Sequence, residues 1–294
     1  MPRRRRERAR RVAAVVAAAV ALAGCAAFEV RHQLFGDGQN CDWPGVYDRA
    51  ARANAASLTT LPLDPFGKPE IGWAIYAPAI AHEARTGCPA DTPAFAWALA
   101  YWQSRHGLTP HGAVDPPTFA AMKGDWQRAR PFVRLREGGV CPDPPRVLET
   151  LTPEESRTDE PVQLRPDALA ALRRMVAAAR RENAEIAADP RLLTVFSGFR
   201  DPVADAARCS AQQNCQGLVR AECSAHRTGL AVDLYLGAEP GFAADSSDSA
   251  NRLYQTKTTA YRWLVANAGR FGFVNYVYEP WHWEWTGAQP WATP

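Results

Sequence analysis

Residues 224–233 read SAHRTGLAVD, and an imidazole and a carboxylate lie seven positions apart in this stretch. His226 precedes a turn that contains Gly229, and Asp233 ends an apolar run typical of a buried strand. A single histidine is more often a surface or hydrogen-bonded core residue than a metal ligand. The segment alone therefore predicts a turn that enters a strand, and a metal site requires further ligands from elsewhere.

A second segment, EPWHWEW at residues 279–285, supplies such ligands. Because side chains alternate along a strand, His282 and Glu284 are predicted on one face, with the tryptophans on the other: Trp281, Trp283 and Trp285. Pro280 lacks an N–H and favours an extended residue before it. Strand pairing is therefore expected to be interrupted where Glu279 enters a cleft.

Two imidazoles and one carboxylate form a zinc ligand set with a fourth position open to water, as in catalytic sites. We therefore predict a Zn²⁺ site at His226, Asp233 and His282. Zinc lowers the pKa of such a water to about 7, and a nearby carboxylate can pass its proton to a leaving amine. Glu279 suits that role. Glu284 is the rival base, but its position after the ligand favours orienting an imidazole.

The rest of the C-terminal half alternates helical and strand patterns. Apolar residues at helical spacing predict a helix over residues 168–187, followed by a strand at 192–196. A further helix over 261–268 ends at a pair of glycines and leads into a strand at 273–278. These patterns predict an α+β domain over residues 166–294.

The N-terminal half is predicted to be a small all-α domain over residues 66–130. Apolar residues between Ile71 and Ala84 fall on one helical stripe, and short helices are expected as far as Met122. YWQSRHGL at 101–108 and the GAVD that follows it resemble the three-helix peptidoglycan-binding domain. The resemblance implies glycan binding, although Asp115 replaces the usual glycine. The alternative is that these helices only pack the N-terminal region.

Prolines recur between Cys141 and Asp167, which predicts an extended connector over residues 131–165. Residues 26–65 are an N-terminal extension. Before them, seven arginines precede an apolar run of about twelve residues, the layout of a secretory signal over residues 1–25. The run is shorter than the roughly 20 residues of a transmembrane helix.

The signal ends in LAGC at residues 22–25, which resembles the lipobox of bacterial lipoproteins. The resemblance implies that Cys25 is lipidated and anchors the protein to a membrane. The alternative is ordinary cleavage after a small residue. Either way the protein is predicted to be exported, to the periplasm or the face of the cell envelope.

Removal of residues 1–25 changes the charge balance. They hold seven of the 34 basic and one of the 31 acidic residues, so the mature chain is near −3 rather than the +3 of the whole sequence. This excludes a nucleic-acid binder of the basic-patch type. Six cysteines remain, an even number that predicts disulfides in an exported chain without fixing their pairing. Cys209 and Cys215 are placed to close a small loop.

Three blocks occur in order across residues 165–286, namely SGFR at 197–200, then the His–Asp segment, then EPWH. Together they resemble the VanY-type D-alanyl-D-alanine carboxypeptidases of the Hedgehog/DD-peptidase fold. The resemblance implies the same zinc ligands and the same base, Glu279, as the residue patterns do. It also implies that Arg200 binds the substrate carbonyl and stabilises the developing oxyanion, for which a planar charged donor fork is suited. A structural salt bridge is the alternative for Arg200.

Two further residues are candidates for substrate binding. Ser224 either contacts a substrate carboxylate or caps the turn before His226. Trp281 either lines the substrate pocket or belongs to the hydrophobic core. The sequence leaves both choices open.

We therefore predict a zinc carboxypeptidase that removes the C-terminal D-amino acid of peptidoglycan stem peptides. Its predicted partners are those peptides, the glycan and the membrane through Cys25, with no nucleic acid. An L,D-carboxypeptidase or a peptidoglycan endopeptidase would use the same residues. A non-catalytic wall-binding lipoprotein that keeps zinc for stability is the alternative outside enzymes, and Glu279 and Arg200 argue against it.

Overall fold

The structure is a computed structural model that describes residues 41–42, 45–136, 139–211 and 223–287. The predicted signal with Cys25, and the Cys215 end of the predicted small loop, lie outside these residues. No helix in these ranges combines the length and apolar character needed to cross a bilayer.

The chain forms two compact units. One comprises Met1–Leu58 with Ala81–Val114, and the second comprises Thr59–Ile80 with Asp115–Pro294. This division runs through the region predicted as a domain at residues 66–130. The predicted domain boundaries stay predictions.

The helices and strands have the following bounds. The α-helices are α1 Asp48–Ser57, α2 Ala77–Glu83, α3 Pro93–Arg105, α4 Pro116–Ala129, α5 Pro131–Leu135, α6 Pro166–Glu182, α7 Ala184–Ala188, α8 Pro202–Ala211, α9 Ser249–Lys257 and α10 Thr259–Asn267. The strands are β1 Pro62–Leu63, β2 Glu70–Ile71, β3 Glu149–Thr150, β4 Gln163–Leu164, β5 Val195–Ser197, β6 Ala231–Leu234, β7 Phe273–Asn275 and β8 His282–Trp285. Short 3-10 helices are found at Ala74–Tyr76, Ala225–Thr228 and Ala268–Phe271.

Buried amide side chains organise the first unit. Asn54 on α1 donates to the Gly112 carbonyl at 2.9 Å and accepts from the Val114 N–H at 2.8 Å. Gln103 on α3 accepts from the Gly112 N–H and donates to the Ala113 carbonyl. Since buried backbone groups need partners, these two amides fix the loop at residues 112–114.

A four-stranded antiparallel sheet lies in the second unit, in the order β5-β6-β8-β7. Helix α6 starts at Pro166, a residue suited to the first helical position, and buries one apolar face in the core. The residues predicted for that face are buried: Leu169, Leu172, Met175 and Ala179. The three tryptophans of the EPWHWEW segment belong to the same core, as the alternation predicted.

The predicted class, α+β with a helical N-terminal region, is confirmed, while some local predictions are wrong. Ile71 lies on β2 and is 69% exposed rather than on a buried helical stripe. Its hairpin turns at Phe66 and Gly67, both with positive φ, which a helix excludes. The strand expected at 192–196 begins only at Val195, because Leu193 also has a positive φ.

Candidate metal site and active-site cleft

Asp233 and His282 are brought together by the register of the sheet. They are opposite residues on the antiparallel strands β6 and β8. Ser197 on β5 is opposite Asp233 on the other side. Since directly opposite residues project from the same face, these three side chains form a row across the sheet.

The 3-10 helix Ala225–Thr228 positions His226. The Ser224 hydroxyl accepts from the His226 N–H at 3.2 Å and so caps the start of this turn. Gly229 ends it with φ +66°, a left-handed conformation that costs glycine little. The chain then enters β6, and the imidazole is left facing Asp233.

The three predicted ligands converge. His282 Nδ1 lies 2.9 Å from Asp233 Oδ1, and His226 Nε2 lies 3.2 Å from Asp233 Oδ2. The two ring nitrogens are 3.2 Å apart. Ligands about 2.0–2.2 Å from a tetrahedral zinc lie about 3.3 Å from one another, so this donor set has the spacing of a metal site. All three residues are buried, and together they can hold a metal ion.

The outward-facing nitrogens of both imidazoles have acceptors. His226 Nδ1 donates to the Gly198 carbonyl at 2.6 Å, and His282 Nε2 lies 3.4 Å from Glu284 Oε1. Such contacts fix the tautomer that turns a lone pair toward a metal. Gly198 itself packs closely against Gln163, since a Cβ at this position would lie 2.5 Å from the Gln163 carbonyl oxygen.

Burial and mutual contacts shift the protonation of this cluster. Burial alone would raise the pKa of Asp233, but the two imidazoles outweigh it and hold that pKa well below its usual range. Burial and the nearby Arg200 lower the pKa of His226. Burial also opposes a charge on His282, yet hydrogen bonds with Asp233 and Glu284 raise its pKa to about 9. A cation bound here would replace a proton, as metal binding to histidine generally does.

Glu279 lies in the turn between β7 and β8. Its N–H donates to the Tyr276 carbonyl at 2.7 Å, and its own carbonyl accepts from the His282 N–H at 2.9 Å. Its carboxylate lines the cleft and makes no hydrogen bond within the described part of the chain. Desolvation raises its pKa above the ordinary value. The Glu279 side chain therefore lies beside the predicted ligands, and its carboxylate oxygens are available to accept a hydrogen bond or a proton.

Arg200 faces the same cleft. Its Nη2 lies 3.1 Å from Asp233 Oδ2, and its Nε and Nη2 donate to Ser197 Oγ at 3.0 and 2.8 Å. Nη1 has no hydrogen-bond partner among the described residues. The salt bridge considered for this arginine is thus present, and part of the guanidinium still has free donors.

The cleft has a volume of about 400 Å³ and contains all the predicted site residues except Cys25. Ser224 and Trp281 both line it. Ser224 also caps the turn, and Trp281 is 3% exposed and belongs to the core. The capping role of Ser224 and the core position of Trp281 are therefore present, and contact of either residue with a substrate stays a prediction.

Several residues of the site were not recognised from the sequence. Ser197 and Gly198 belong to the SGFR block, but their contacts with Arg200 and His226 depend on the fold. Arg130 was missed because it lies outside every motif. It approaches the site only through packing of α4 and α5.

A disulfide joins Cys141 to Cys223, the residue before Ser224. Cys223 is one of the residues that line the cleft. A second disulfide joins Cys41 to Cys88 in the other unit. The prediction of disulfides from an even cysteine count is confirmed for these four residues.

Comparison with known proteins relates the C-terminal part of the chain to carboxypeptidases. Residues 161–288, somewhat less than half of the chain, match the family VanY, D-alanyl-D-alanine carboxypeptidase. A solved structure of the LdcB LD-carboxypeptidase, described as revealing the molecular basis of peptidoglycan recognition, is 24% identical. That match has a TM-score of 0.35 and covers 48% of this chain and 69% of the other. No curated protein matches the chain. The predicted resemblance to this family is therefore confirmed over residues 161–288.

Proposed function

We propose that this protein is a zinc-dependent D-alanyl-D-alanine carboxypeptidase that removes the C-terminal D-amino acid of peptidoglycan stem peptides. The supporting observation is the convergence of His226, Asp233 and His282 beside Glu279 in one cleft of a VanY-family domain. The donor set fits zinc because two nitrogens and one carboxylate oxygen leave a ligand position open. A zinc ion held there supplies Lewis-acid activation of water and of the scissile carbonyl.

Glu279 acts as the general base and then the general acid. Its carboxylate takes one proton from the attacking water as the new carbon–oxygen bond forms. It then gives that proton to the amide nitrogen as the carbon–nitrogen bond breaks, so a carboxylic acid and an amine are released. A carboxylate to which no described residue donates a hydrogen bond, held in a desolvated position, is suited to both transfers.

Arg200 stabilises the negative charge that develops on the carbonyl oxygen. Its contacts with Ser197 and Asp233 fix the guanidinium, so little reorganisation is needed as the charge appears. The Nη1 donors, which have no acceptor among the described residues, are available to that oxygen. Ser224 and Trp281, which both line the cleft, are the further residues that contact the substrate in this proposal.

Defined stem peptides test the proposal. The purified mature protein with zinc is incubated with tri-, tetra- and pentapeptide stems, and products are identified by mass spectrometry. Loss of one D-alanine from the pentapeptide alone is expected. Shortening of the tetrapeptide would indicate an L,D-carboxypeptidase, and cleavage of cross-linked dimers an endopeptidase. No product from any substrate would favour the non-catalytic wall-binding protein.

We also propose that the protein is exported and anchored through a lipid on Cys25, and that residues 66–130 bring it to the wall by binding glycan. Export is supported by the two disulfides, which form in oxidising compartments. Mass spectrometry of the mature N-terminus tests the anchor, since a mature chain without a diacylglyceryl adduct would contradict it. Sedimentation with purified glycan strands tests wall binding.

A further inference from the structure

Arg130 joins α4 to α5, outside the region that matches the carboxypeptidase family. Pro131 follows it and disfavours helical backbone at Arg130, whose ψ of +127° ends α4. Its guanidinium is directed at Glu284, with Nε and Nη2 both 2.6 Å from Oε1. The Phe132 N–H donates to Oε2 at 2.9 Å, so this corner of the chain satisfies both carboxylate oxygens.

Glu284 in turn contacts a predicted metal ligand. Its Oε1 lies 3.4 Å from His282 Nε2, the ring nitrogen that faces away from Asp233. The Arg130 guanidinium also stacks over Tyr276 at 3.9 Å, and that ring meets the His282 ring edge-on at 6.0 Å. Arg130 therefore touches two of the groups that surround His282.

We propose that Arg130 is a positioning residue for the metal site, holding Glu284 and Tyr276 against His282. This rests on the ligand set of the proposed function. An arginine fits because its planar fork can contact a carboxylate and stack on an aromatic ring at once, which lysine does not do. The carboxypeptidase domain would then depend on α4 and α5 for the orientation of its own ligand.

Zinc affinity, measured by competition with a chromophoric chelator, tests this without any substrate. Arg130→Met is expected to weaken zinc binding by about 10- to 100-fold, the usual effect of losing an outer contact of a ligand. Glu284→Gln should weaken it similarly, and the double variant no further, because both act through the same contact. The control is Arg128→Met, an exposed neighbour paired with Asp125.

Wild-type affinity in folded Arg130→Met would overturn the proposal. If that variant does not fold, Arg130→Lys is used instead, because it keeps the positive charge but cannot contact Glu284 and Tyr276 at once. Unchanged zinc affinity in Arg130→Lys would equally overturn the proposal. This test is independent of the proposed reaction. Zinc affinity would still measure the role of Arg130 in a protein that binds zinc but cleaves no stem peptide.

The hairpin of β1 and β2 carries a second, independent feature. Its turn residue Phe66 has φ +101°, unfavourable for a bulky side chain. The Phe66 ring meets Tyr276 and Tyr278 edge-on, each at 5.3 Å, and Lys68 Nζ lies 5.2 Å from the Tyr278 ring. Both hairpin side chains line the cleft beside Glu279.

The hairpin is fixed at its base. Glu70 on β2 forms an ion pair with Arg252, which is 1% exposed, and accepts from the Tyr76 hydroxyl at 2.9 Å. Arg252 also stacks over Tyr278 at 4.0 Å. A strained turn persists where its surroundings determine it, and such turns cluster at functional sites.

We infer that this hairpin is a specificity element of the cleft, with Lys68 binding a side-chain carboxylate of the stem peptide. This rests on the proposed substrate class. A lysine ammonium beside aromatic walls favours an anionic group and disfavours a cationic one. Stem peptides with diaminopimelate at the third residue, which has a side-chain carboxylate, should therefore bind better than those with lysine.

Calorimetry with the Glu279→Gln protein measures binding of the two pentapeptides without turnover. Lys68→Gln should weaken binding of the diaminopimelate peptide by about 10-fold, as for loss of one charge-assisted contact, and should leave binding of the lysine peptide unchanged or slightly tighter because a like charge is removed. Lys257→Gln, at an exposed position on α9, is the control. An equal effect on both peptides, or none, would overturn the inference. Failure of the wild type to cleave either peptide would instead contradict the proposed reaction.

Discussion

Asp233 and His282 are opposite residues on neighbouring antiparallel strands, and Asp233 Oδ1 lies 2.9 Å from His282 Nδ1. A slip of one residue in this register would turn one of the two side chains to the other face of the sheet. The core tryptophans of β8 resist such a slip, because they would have to leave the core. Packing on one face of the strand therefore maintains the ligand geometry on the other.

Removal of the proposed zinc should destabilise the protein, because two strands and a turn contribute its proposed ligands. Zinc at about 1,000 times its dissociation constant would stabilise the fold by about 4 kcal/mol. Asp233→Asn, which removes the charged ligand and keeps its shape, should abolish most of this effect. Thermal unfolding with and without a chelator measures it. Asp189→Asn, at an exposed ion pair with Arg191, should retain the full zinc response.

Glu279→Gln should lower turnover by about 10²- to 10⁴-fold, the usual contribution of a general acid–base residue. The amide keeps the size of the side chain but cannot take the proton. Zinc affinity should be unchanged, since Glu279 is not one of the ligands. Steady-state kinetics on a stem peptide, with zinc titration of the same preparation, separates the two effects. Glu160→Gln, at an exposed residue, serves as the control, and near wild-type turnover by Glu279→Gln would refute the assignment.

The elements with strong periodicity were predictable from the sequence. Helix α6 and the tryptophan face of β8 follow local patterns, and the spacing of His226, Asp233 and His282 indicated a ligand set. The hairpin at residues 62–71 was not predictable, because two short strands around a strained Phe66 leave no periodic signal. Arg130 was missed for another reason. Its partner Glu284 is far away in the sequence, and only the folded chain brings them together.

Gly198→Ala should disturb the site through the backbone. The added methyl group would lie 2.5 Å from the Gln163 carbonyl oxygen and 2.8 Å from Val162 Cγ1, so the chain must move. Overpacking of this kind costs about 1–3 kcal/mol. Because the Gly198 carbonyl accepts from His226 Nδ1, zinc affinity should fall as well.

Urea unfolding and chelator competition measure the two effects of Gly198→Ala. Gly269→Ala is the matched control, since a Cβ there meets nothing within 4 Å and should leave both quantities unchanged. A Gly198→Ala protein with full stability and full zinc affinity would show that the close approach at this residue is dispensable.

Loss of the Cys141–Cys223 disulfide should weaken the metal site, whereas loss of the Cys41–Cys88 disulfide should not. The first ends one residue before Ser224, whose hydroxyl caps the turn that holds His226. Removing either bridge by paired Cys→Ser changes should cost about 2–4 kcal/mol of stability, since each closes a long loop. Zinc affinity then distinguishes the two variants, because the Cys41–Cys88 bridge lies in the unit that contributes none of the three predicted ligands. An equal fall in zinc affinity for both variants would mean that general destabilisation, rather than the tether before Ser224, controls the site.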